Sequence, residues 1–158
     1  MVKPSFFKRS QIRCLLMVAC MLTCVEINSL GQESAPAPER SVQNLAADYI
    51  RLYTRSTLPE WKKLFHPSLS VANPNKDGSI QIRNLEEFYA TQETRFATGR
   101  TISERLEHVS IRTGNRMASI SADFIFSDNG KEGHGKLGLH AIQDNQGWRI
   151  VAIIFSYD

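Results

Sequence analysis

The sequence Met117-Ala-Ser-Ile-Ser-Ala-Asp-Phe-Ile-Phe-Ser-Asp128 places apolar side chains at alternate positions and runs directly into the dipeptide Asn129-Gly130. Side chains of a β-strand point to opposite faces in turn, so this alternation is typical of a strand with one buried face. Asn-Gly is a strong signal for a two-residue hairpin turn. The stretch therefore predicts a strand that ends in a tight hairpin.

The same period of two continues in both directions from this stretch. We predict strands over residues 102–113, 116–127, 131–144 and 147–157, separated by short segments rich in Gly, Asn and Asp. Four consecutive strands joined by hairpins predict an antiparallel meander in the C-terminal part of the chain.

Before residue 102, apolar residues recur at helical spacing instead. Ser41 precedes the first such run, Thr57 to Glu60 matches a capping box before the second, and Asn84 to Glu87 matches one before the third. A short strand at 69–71 lies between the second and third runs. The sequence therefore predicts an α+β domain, with three N-terminal helices packed on one face of a curved, mostly antiparallel sheet.

The last predicted strand is apolar on both of its faces. Strict alternation places Trp148, Ile150, Ala152 and Ile154 on one face, and Val151, Ile153 and Phe155 on the other. Helices can cover only one face of a sheet, so we expect a second copy of the chain to cover the face that carries Val151, Ile153 and Phe155. This predicts a homodimer; a tolerated apolar surface is the alternative.

Residues 1–31 have the layout of a secretory signal peptide. A basic segment that ends at Arg13 precedes an apolar run from Cys14 to Val25, and this run is too short to span a membrane as a helix. We expect cleavage near Gly31 and a secreted or periplasmic protein without a membrane segment. Lipid attachment at Cys20 is a second possibility. Residues 32–40 then form a flexible linker and 41–158 the folded domain.

The net charge of +3 belongs entirely to this leader, which carries four basic residues and one acidic residue. The rest of the chain is neutral, which argues against a nucleic-acid-binding surface. All three cysteines also lie before residue 32. The domain therefore has no disulfide, and its stability must come from packing.

The predicted domain lacks the sequence signatures of metal, cofactor and nucleophile sites. The four histidines, His66, His108, His134 and His140, do not form a close ligand pair. The Gly-rich segment 130–138 is not followed by a helix that could bind phosphate, and no Gly-x-Ser-x-Gly motif is present. We therefore expect no metal and no cofactor.

Three segments carry a family resemblance: Asp48-Tyr-Ile50, Trp61-Lys-Lys-Leu-Phe65 with Leu69-Ser-Val-Ala-Asn-Pro74, and Gly147-Trp-Arg-Ile-Val-Ala-Ile-Ile154. With the order of the elements, they resemble the nuclear transport factor 2-like superfamily over residues 42–158. This cone fold is shared by ketosteroid isomerases, SnoaL-like polyketide cyclases and proteins without an assigned activity. Such a resemblance predicts the fold and leaves the function open.

The resemblance also implies where the catalytic residues of a ketosteroid isomerase would fall. The tyrosine that donates to the substrate oxygen corresponds to Tyr49, the aspartate base to Asn73, and the second carboxylic donor to Leu139. A neutral amide does not accept a proton as a carboxylate does. The resemblance therefore implies that isomerase chemistry dependent on that base is absent.

A cone of this kind would enclose a cavity between the helices and the sheet. We expect its lining to be Tyr49, Asn73, Phe88, Phe124, Phe126, Leu139, Ala152 and Ile154. The leading hypothesis is a non-catalytic domain that binds a small apolar ligand or acts as an interaction module. Two alternatives stay open: an enzyme of the cyclase, hydratase or isomerase kind with another base, such as Asp123 or His66, and a structural dimerisation domain with a filled core.

Overall fold

The computed structural model of the protein describes residues 41–158, which form an α+β domain. Its elements are α1 (Val42–Arg51), α2 (Leu58–Lys62), β1 (Phe65–Pro74), β2 (Ile80–Asn84), α3 (Leu85–Ala97), β3 (Ile102–Thr113), β4 (Met117–Asp128), β5 (Lys131–Asp144) and β6 (Gly147–Tyr157). The predicted signal peptide, with Cys20, and the predicted linker 32–40 lie outside the described residues.

The strands form one six-stranded sheet in the order β2-β1-β6-β5-β4-β3. Strands β3 to β6 pair antiparallel in sequence order, which confirms the predicted meander, and β1 pairs parallel with β6. The turn between β4 and β5 has positive φ at Asn129 (51°) and Gly130 (79°), as expected for its sequence. The short strand predicted at 69–71 is part of the longer β1, and β2 adds a strand beside it.

Two of the three predicted helix caps are confirmed. The Ser41 side chain accepts a hydrogen bond from the Asn44 N–H (3.1 Å), and Asn84 and Glu87 form a reciprocal capping box. The capping box predicted at Thr57 is wrong, because the Thr57 hydroxyl donates to the Leu52 carbonyl instead (2.9 Å). The second residue of α2 is Pro59, which has no N–H to offer the cap.

The predicted faces of the last strand are wrong beyond Ile150. His140 pairs with Ala152 while Ala141 pairs with Ile150, so Val151 is an extra residue in a β-bulge. A bulge inserts one residue and reverses the alternation that follows it. Ile153 is therefore 1% exposed in the core, whereas Ile154 is 54% exposed on the outer face, the face away from the helices.

Aromatic packing around Trp61 joins the helices to the inner face of the sheet. The Trp61 indole is buried, and its N–H donates to the carbonyl of Tyr49 (2.8 Å). Its ring lies 4.6 Å from that of Phe65 and 4.9 Å from that of Tyr53. In the same layer, α1 contacts β3 and β6, and α3 packs against β1 and β2.

A second irregularity lies in β3, which forms an edge of the sheet. The pairing of β3 with β4 shifts between Glu107 and Ser110, and His108 has a φ of 51°. This is the geometry of a bulge, which bends and twists a strand. Within residues 41–158, no helix has the length and hydropathy needed to span a membrane.

Candidate ligand cavity

A cavity of about 150 Å³ lies between the helices and the inner face of the sheet. Five of the eight residues that the sequence predicts for the lining are found there: Tyr49, Asn73, Phe88, Phe124 and Phe126. They come from four elements: α1, β1, α3 and β4. The core is not filled at this point.

The other three predicted lining residues lie elsewhere. Leu139 is fully buried in the core, and the bulge in β6 places Ala152 and Ile154 on the outer face. The same bulge turns Phe155 and Tyr157 inward, where both line the cavity. Phe155 and Ile153 therefore do not belong to the outer face on which the sequence placed a dimer contact.

The lining contains charged and amide groups that the sequence analysis did not predict: Gln81, Arg83, Gln92, Arg95 and Glu104. This corrects the expectation of a mostly apolar cavity. Because a buried polar group is costly unless it has a partner, the contacts of these side chains indicate what the cavity can hold.

Arg83 extends from β2 across the cavity wall. Its Nη2 donates to the Asn73 Oδ1 (2.7 Å), and its guanidinium lies 5.5 Å from the Phe88 ring centre and 5.9 Å from that of Phe155. The buried Nε has no hydrogen-bond partner, and Arg83 forms no ion pair with any residue in 41–158. Burial and the nearby positive charge of Arg95 lower the pKa of Arg83.

Arg95 belongs to a polar network on the α3 side. The Tyr53 hydroxyl donates to the Gln92 Oε1 (2.6 Å), and the Gln92 Nε2 donates to the Phe88 carbonyl (3.3 Å). Arg95 Nη1 donates to the same Oε1 (3.4 Å), and its guanidinium lies 5.2 Å from the Phe126 ring centre. Gln92 thus holds both Tyr53 and Arg95 in place.

Glu104 provides the one carboxyl group among the described lining residues. Burial raises its pKa to about 7, and the positive charge of Arg95 partly opposes that rise. The pKa of Tyr49 is also raised, first by burial and then by the charge of Glu104. The cavity therefore combines two arginines with a carboxyl that is close to half ionised at neutral pH.

Neither of the alternative bases suggested by the sequence reaches the cavity. Asp123 lies on the outer face, where it accepts hydrogen bonds from Lys136 (2.6 Å) and pairs with His108 (2.9 Å). The Nδ1 of His66 accepts a hydrogen bond from the Ser68 N–H (3.1 Å) within β1. Among the ketosteroid isomerase positions, only Tyr49 and Asn73 line the cavity, and Leu139 does not.

A sequence signal for Glu104 was present. Ile102, Glu104 and Leu106 alternate along β3, and the two apolar neighbours pack against the core. A carboxyl group on the apolar face of a strand has to point into a core or a cavity. The sequence gives no comparable indication for Arg83, because β2 is too short to show an alternation of apolar and polar side chains.

Comparison with known proteins shows which family the chain resembles. A family model described as "Putative lumazine-binding" matches residues 37–156. A search of curated proteins found no match.

Many solved structures share the fold. One from Streptomyces avermitilis, described as a "putative dehydratase from the NTF2-like family", has 12% identity and a TM-score of 0.63 over 74% of this chain and 93% of that one. A putative scytalone dehydratase from Novosphingobium aromaticivorans has 14% identity and a TM-score of 0.60, covering 75% and 83%. A Shewanella baltica protein described as NTF2-like and of unknown function has 9% identity and a TM-score of 0.57, covering 73% and 90%.

The structural matches are too distant in sequence to transfer a function, and they show that the overall fold is shared. The chain belongs to the family of the matching model, described as putative lumazine-binding, and it has the fold of the solved structures described as NTF2-like.

Proposed function

We propose that the domain binds a small molecule that has a flat ring and an anionic or oxygen-rich edge. The observation that carries this proposal is the pair of half-buried arginines, Arg83 and Arg95, which face the cavity without an ion-pair partner in residues 41–158. A cation that lacks its counter-ion in a partly desolvated site favours an anionic ligand. This replaces the apolar ligand expected from the sequence.

Aromatic side chains support the flat ring. Phe88, Phe124 and Phe126 line the cavity with Phe155, and a ring stacks well against such walls. A cavity near 150 Å³ accepts a molecule of about the size of benzene. The family description names lumazine, a flat heterocycle with carbonyl oxygens, and such a molecule has the ring and the polar edge that these walls suit.

A pair of probes that differ mainly in charge tests the proposal. Benzoate and benzyl alcohol each carry one ring, and we expect benzoate to bind at least about tenfold more tightly, which corresponds to about 1.4 kcal/mol. Chemical-shift titration of the labelled domain measures both affinities. The variant Arg83→Gln should remove most of the difference, since it keeps an amide beside Asn73 but loses the charge.

The control is Arg55→Gln, which removes an exposed arginine outside the cavity. It should leave both affinities unchanged. Equal affinity of the wild type for the two probes, or no binding of benzoate at millimolar concentration, would contradict the proposal.

We also propose that the domain forms a homodimer through its outer sheet face, with residues different from those expected from the sequence. Ile82 is 68% exposed, and the strand register aligns it with Ala72 and Ile154 across β2, β1 and β6. Gly138 continues this row in β5. An apolar row of this kind on the outer face suits a second copy of the same surface.

Sedimentation velocity tests the dimer. The double variant Ile82→Asp/Ile154→Asp should sediment as a folded monomer, whereas Val109→Asp, at an exposed position on β3, should sediment as the wild type does. A wild type that is monomeric at high micromolar concentration would rule out the proposal.

Export with cleavage near Gly31 remains a proposal from the sequence of residues 1–31. N-terminal sequencing of the protein from its host should find a mature chain that begins near Gln32. Recovery only of chains that start at Met1, or that carry lipid on Cys20, would disprove it.

A further inference from the structure

Glu104 places a carboxyl group in the cavity from the edge strand β3. The side chain is partly buried and lies opposite Phe126 in the strand register. Within residues 41–158, no hydrogen bond and no ion pair of 4 Å or less joins its carboxyl oxygens to another group. A carboxylate that is partly removed from water without a donor costs free energy, so a ligand that supplies a donor is favoured beside it.

Two amide oxygens of the cavity wall already accept hydrogen bonds from protein donors. The Asn73 Oδ1 accepts from Arg83 (2.7 Å), and the Gln92 Oε1 accepts from the Tyr53 hydroxyl (2.6 Å). Among these three acceptor side chains, the Glu104 carboxyl is the one whose oxygens are left for a ligand.

A free donor reaches the same cavity from the opposite edge of the sheet. Arg83 comes from β2 and Glu104 from β3, which are the two edge strands of the order β2-β1-β6-β5-β4-β3. The buried Nε of Arg83 has no hydrogen-bond partner, so this guanidinium has donor capacity left. The cavity therefore offers a donor from one edge of the curved sheet and an acceptor from the other.

Arg95 does not use the Glu104 carboxyl as its partner. Its guanidinium donates to the Gln92 Oε1 (3.4 Å) and lies 5.2 Å from the Phe126 ring centre. Its positive charge nevertheless acts on both ends of the cavity: after the larger effect of burial it lowers the pKa of Arg83, and it opposes the rise that burial causes in the pKa of Glu104. Arg95 thus adjusts the charge of the cavity and leaves the carboxyl oxygens free.

We propose that the ligand carries an N–H group on the side of its ring away from its anionic or oxygen-rich edge, and that Glu104 accepts the hydrogen bond from this group. Arg83 binds the anionic edge at the other end of the cavity. The ligand class is a flat ring compound with a donor and an anion on different edges, of which an amino-substituted aromatic acid is a simple example. This inference rests on the proposed function and narrows its ligand class.

Ionisation of Glu104 makes this recognition depend on pH. Burial raises the pKa of its carboxyl to about 7, so the ionised fraction grows between about pH 6 and pH 8. A carboxylate accepts a hydrogen bond more strongly than a neutral carboxyl does, so the preference for an N–H ligand should rise with pH. The charged and titratable side chains that share the cavity with it are Tyr49, Tyr53, Arg83, Arg95 and Tyr157. Burial raises the pKa of each of the three tyrosines, so they keep their protons over this range.

Two pairs of probes of nearly equal size test the inference. We compare meta-aminobenzoate with meta-methylbenzoate, and para-aminobenzoate with para-methylbenzoate, since each pair differs by an N–H donor in place of a methyl group. Chemical-shift titration of the wild type at about pH 8 should show at least one amino compound binding at least about tenfold more tightly than its methyl partner. At about pH 6 this preference should be at least about threefold smaller, because most of the Glu104 carboxyl is then protonated.

The variant Glu104→Gln removes the charge at nearly the same volume. It should lose most of the preference for the amino compound at pH 8, and the preference that is left should not change with pH. The matched control is Glu107→Gln on the same strand, which removes an exposed carboxylate paired with Arg105 and should keep the wild-type preference. The comparison of the two pH values within the wild type does not require the variant to fold.

Equal affinity of the amino and methyl compounds in both pairs overturns the inference, and so does a preference that Glu104→Gln retains unchanged. If the methylbenzoates bind and lose affinity in Arg83→Gln while the amino compounds show no advantage, the proposed function stands and only the N–H recognition fails. If none of the four probes binds at millimolar concentration, the proposed function fails and the inference fails with it.

Discussion

Gly135 leaves room for the aromatic ring that forms part of the cavity wall. A Cβ atom added at this position would lie 2.6 Å from the ring of Phe124, and closer still to the carbonyl oxygen of Ser156. Contacts this short do not occur in folded proteins without movement of a neighbour. The glycine is therefore required by packing, and it belongs to a continuous strand rather than to a loop.

We expect Gly135→Ala to lower the free energy of unfolding by roughly 2 to 3 kcal/mol, because either Phe124 or β6 must shift. Urea denaturation followed by circular dichroism measures the change. Gly138→Ala is the control: its Cβ would lie no closer than 3.8 Å to a neighbour, and its stability should stay within about 0.5 kcal/mol of the wild type. Equal losses in the two variants would contradict the packing argument.

Which single residues meet in the cavity could be predicted only in part. Tyr49, Phe124 and Phe126 follow from the period of their own helix or strand, and each lines the cavity. Arg83 reaches the same space through a long side chain on a strand too short to show a pattern. Glu104 could have been found from its apolar neighbours on β3, but an exposed strand edge explains an isolated glutamate equally well in a sequence.

At the scale of the elements, β6 shows that a residue pattern can predict where a strand lies more reliably than it predicts which side chains point to which face. The bounds predicted for the four meander strands agree closely with the observed ones, because each strand is flanked by a turn signal. Residues 150–155 are apolar without interruption, so nothing in them marks where the alternation shifts. The extra residue at Val151 depends on how β6 pairs with β5, and the residues of β6 alone do not specify that pairing.

Neighbouring isoleucines in β6 test this reversal of faces. Ile153→Asp places a charge in the core and should cost several kcal/mol, enough to unfold the domain, whereas Ile154→Asp should fold normally on the exposed face. Thermal denaturation of the two variants measures the difference. Without the bulge the sequence would predict the opposite result, so a stable Ile153→Asp would show that the faces are assigned wrongly.

At the level of the whole molecule, Glu104 makes stability depend on pH. Its pKa is about 7 in the folded protein against about 4.5 for a free side chain, so folding favours the protonated form. A raised pKa stabilises the fold fully below about pH 4.5, and this contribution is lost as the pH rises through about 7. At alkaline pH Glu104 is mostly ionised, and the folded protein then bears the cost of keeping that charge partly out of water.

We therefore expect Glu104→Gln to be more stable than the wild type at pH 8, by an amount on the order of 2 kcal/mol once solvent screening is included. The difference should shrink towards pH 5, where the wild-type carboxyl is protonated. Urea denaturation across this range measures it. Glu107→Gln should show no comparable trend, and a wild type that stays the more stable protein at pH 8 would refute the prediction.

The bulge at His108 has a consequence for how the domain behaves at high concentration. An open six-stranded sheet exposes the unpaired backbone of its two edge strands, and flat edges invite strands of other molecules to pair with them. β2 offers only five residues, and β3 is interrupted by the bulge and flanked there by Arg105 and Glu107. An incoming strand would therefore lose its hydrogen-bond ladder midway along β3, and this interruption protects the domain against aggregation by edge-to-edge pairing.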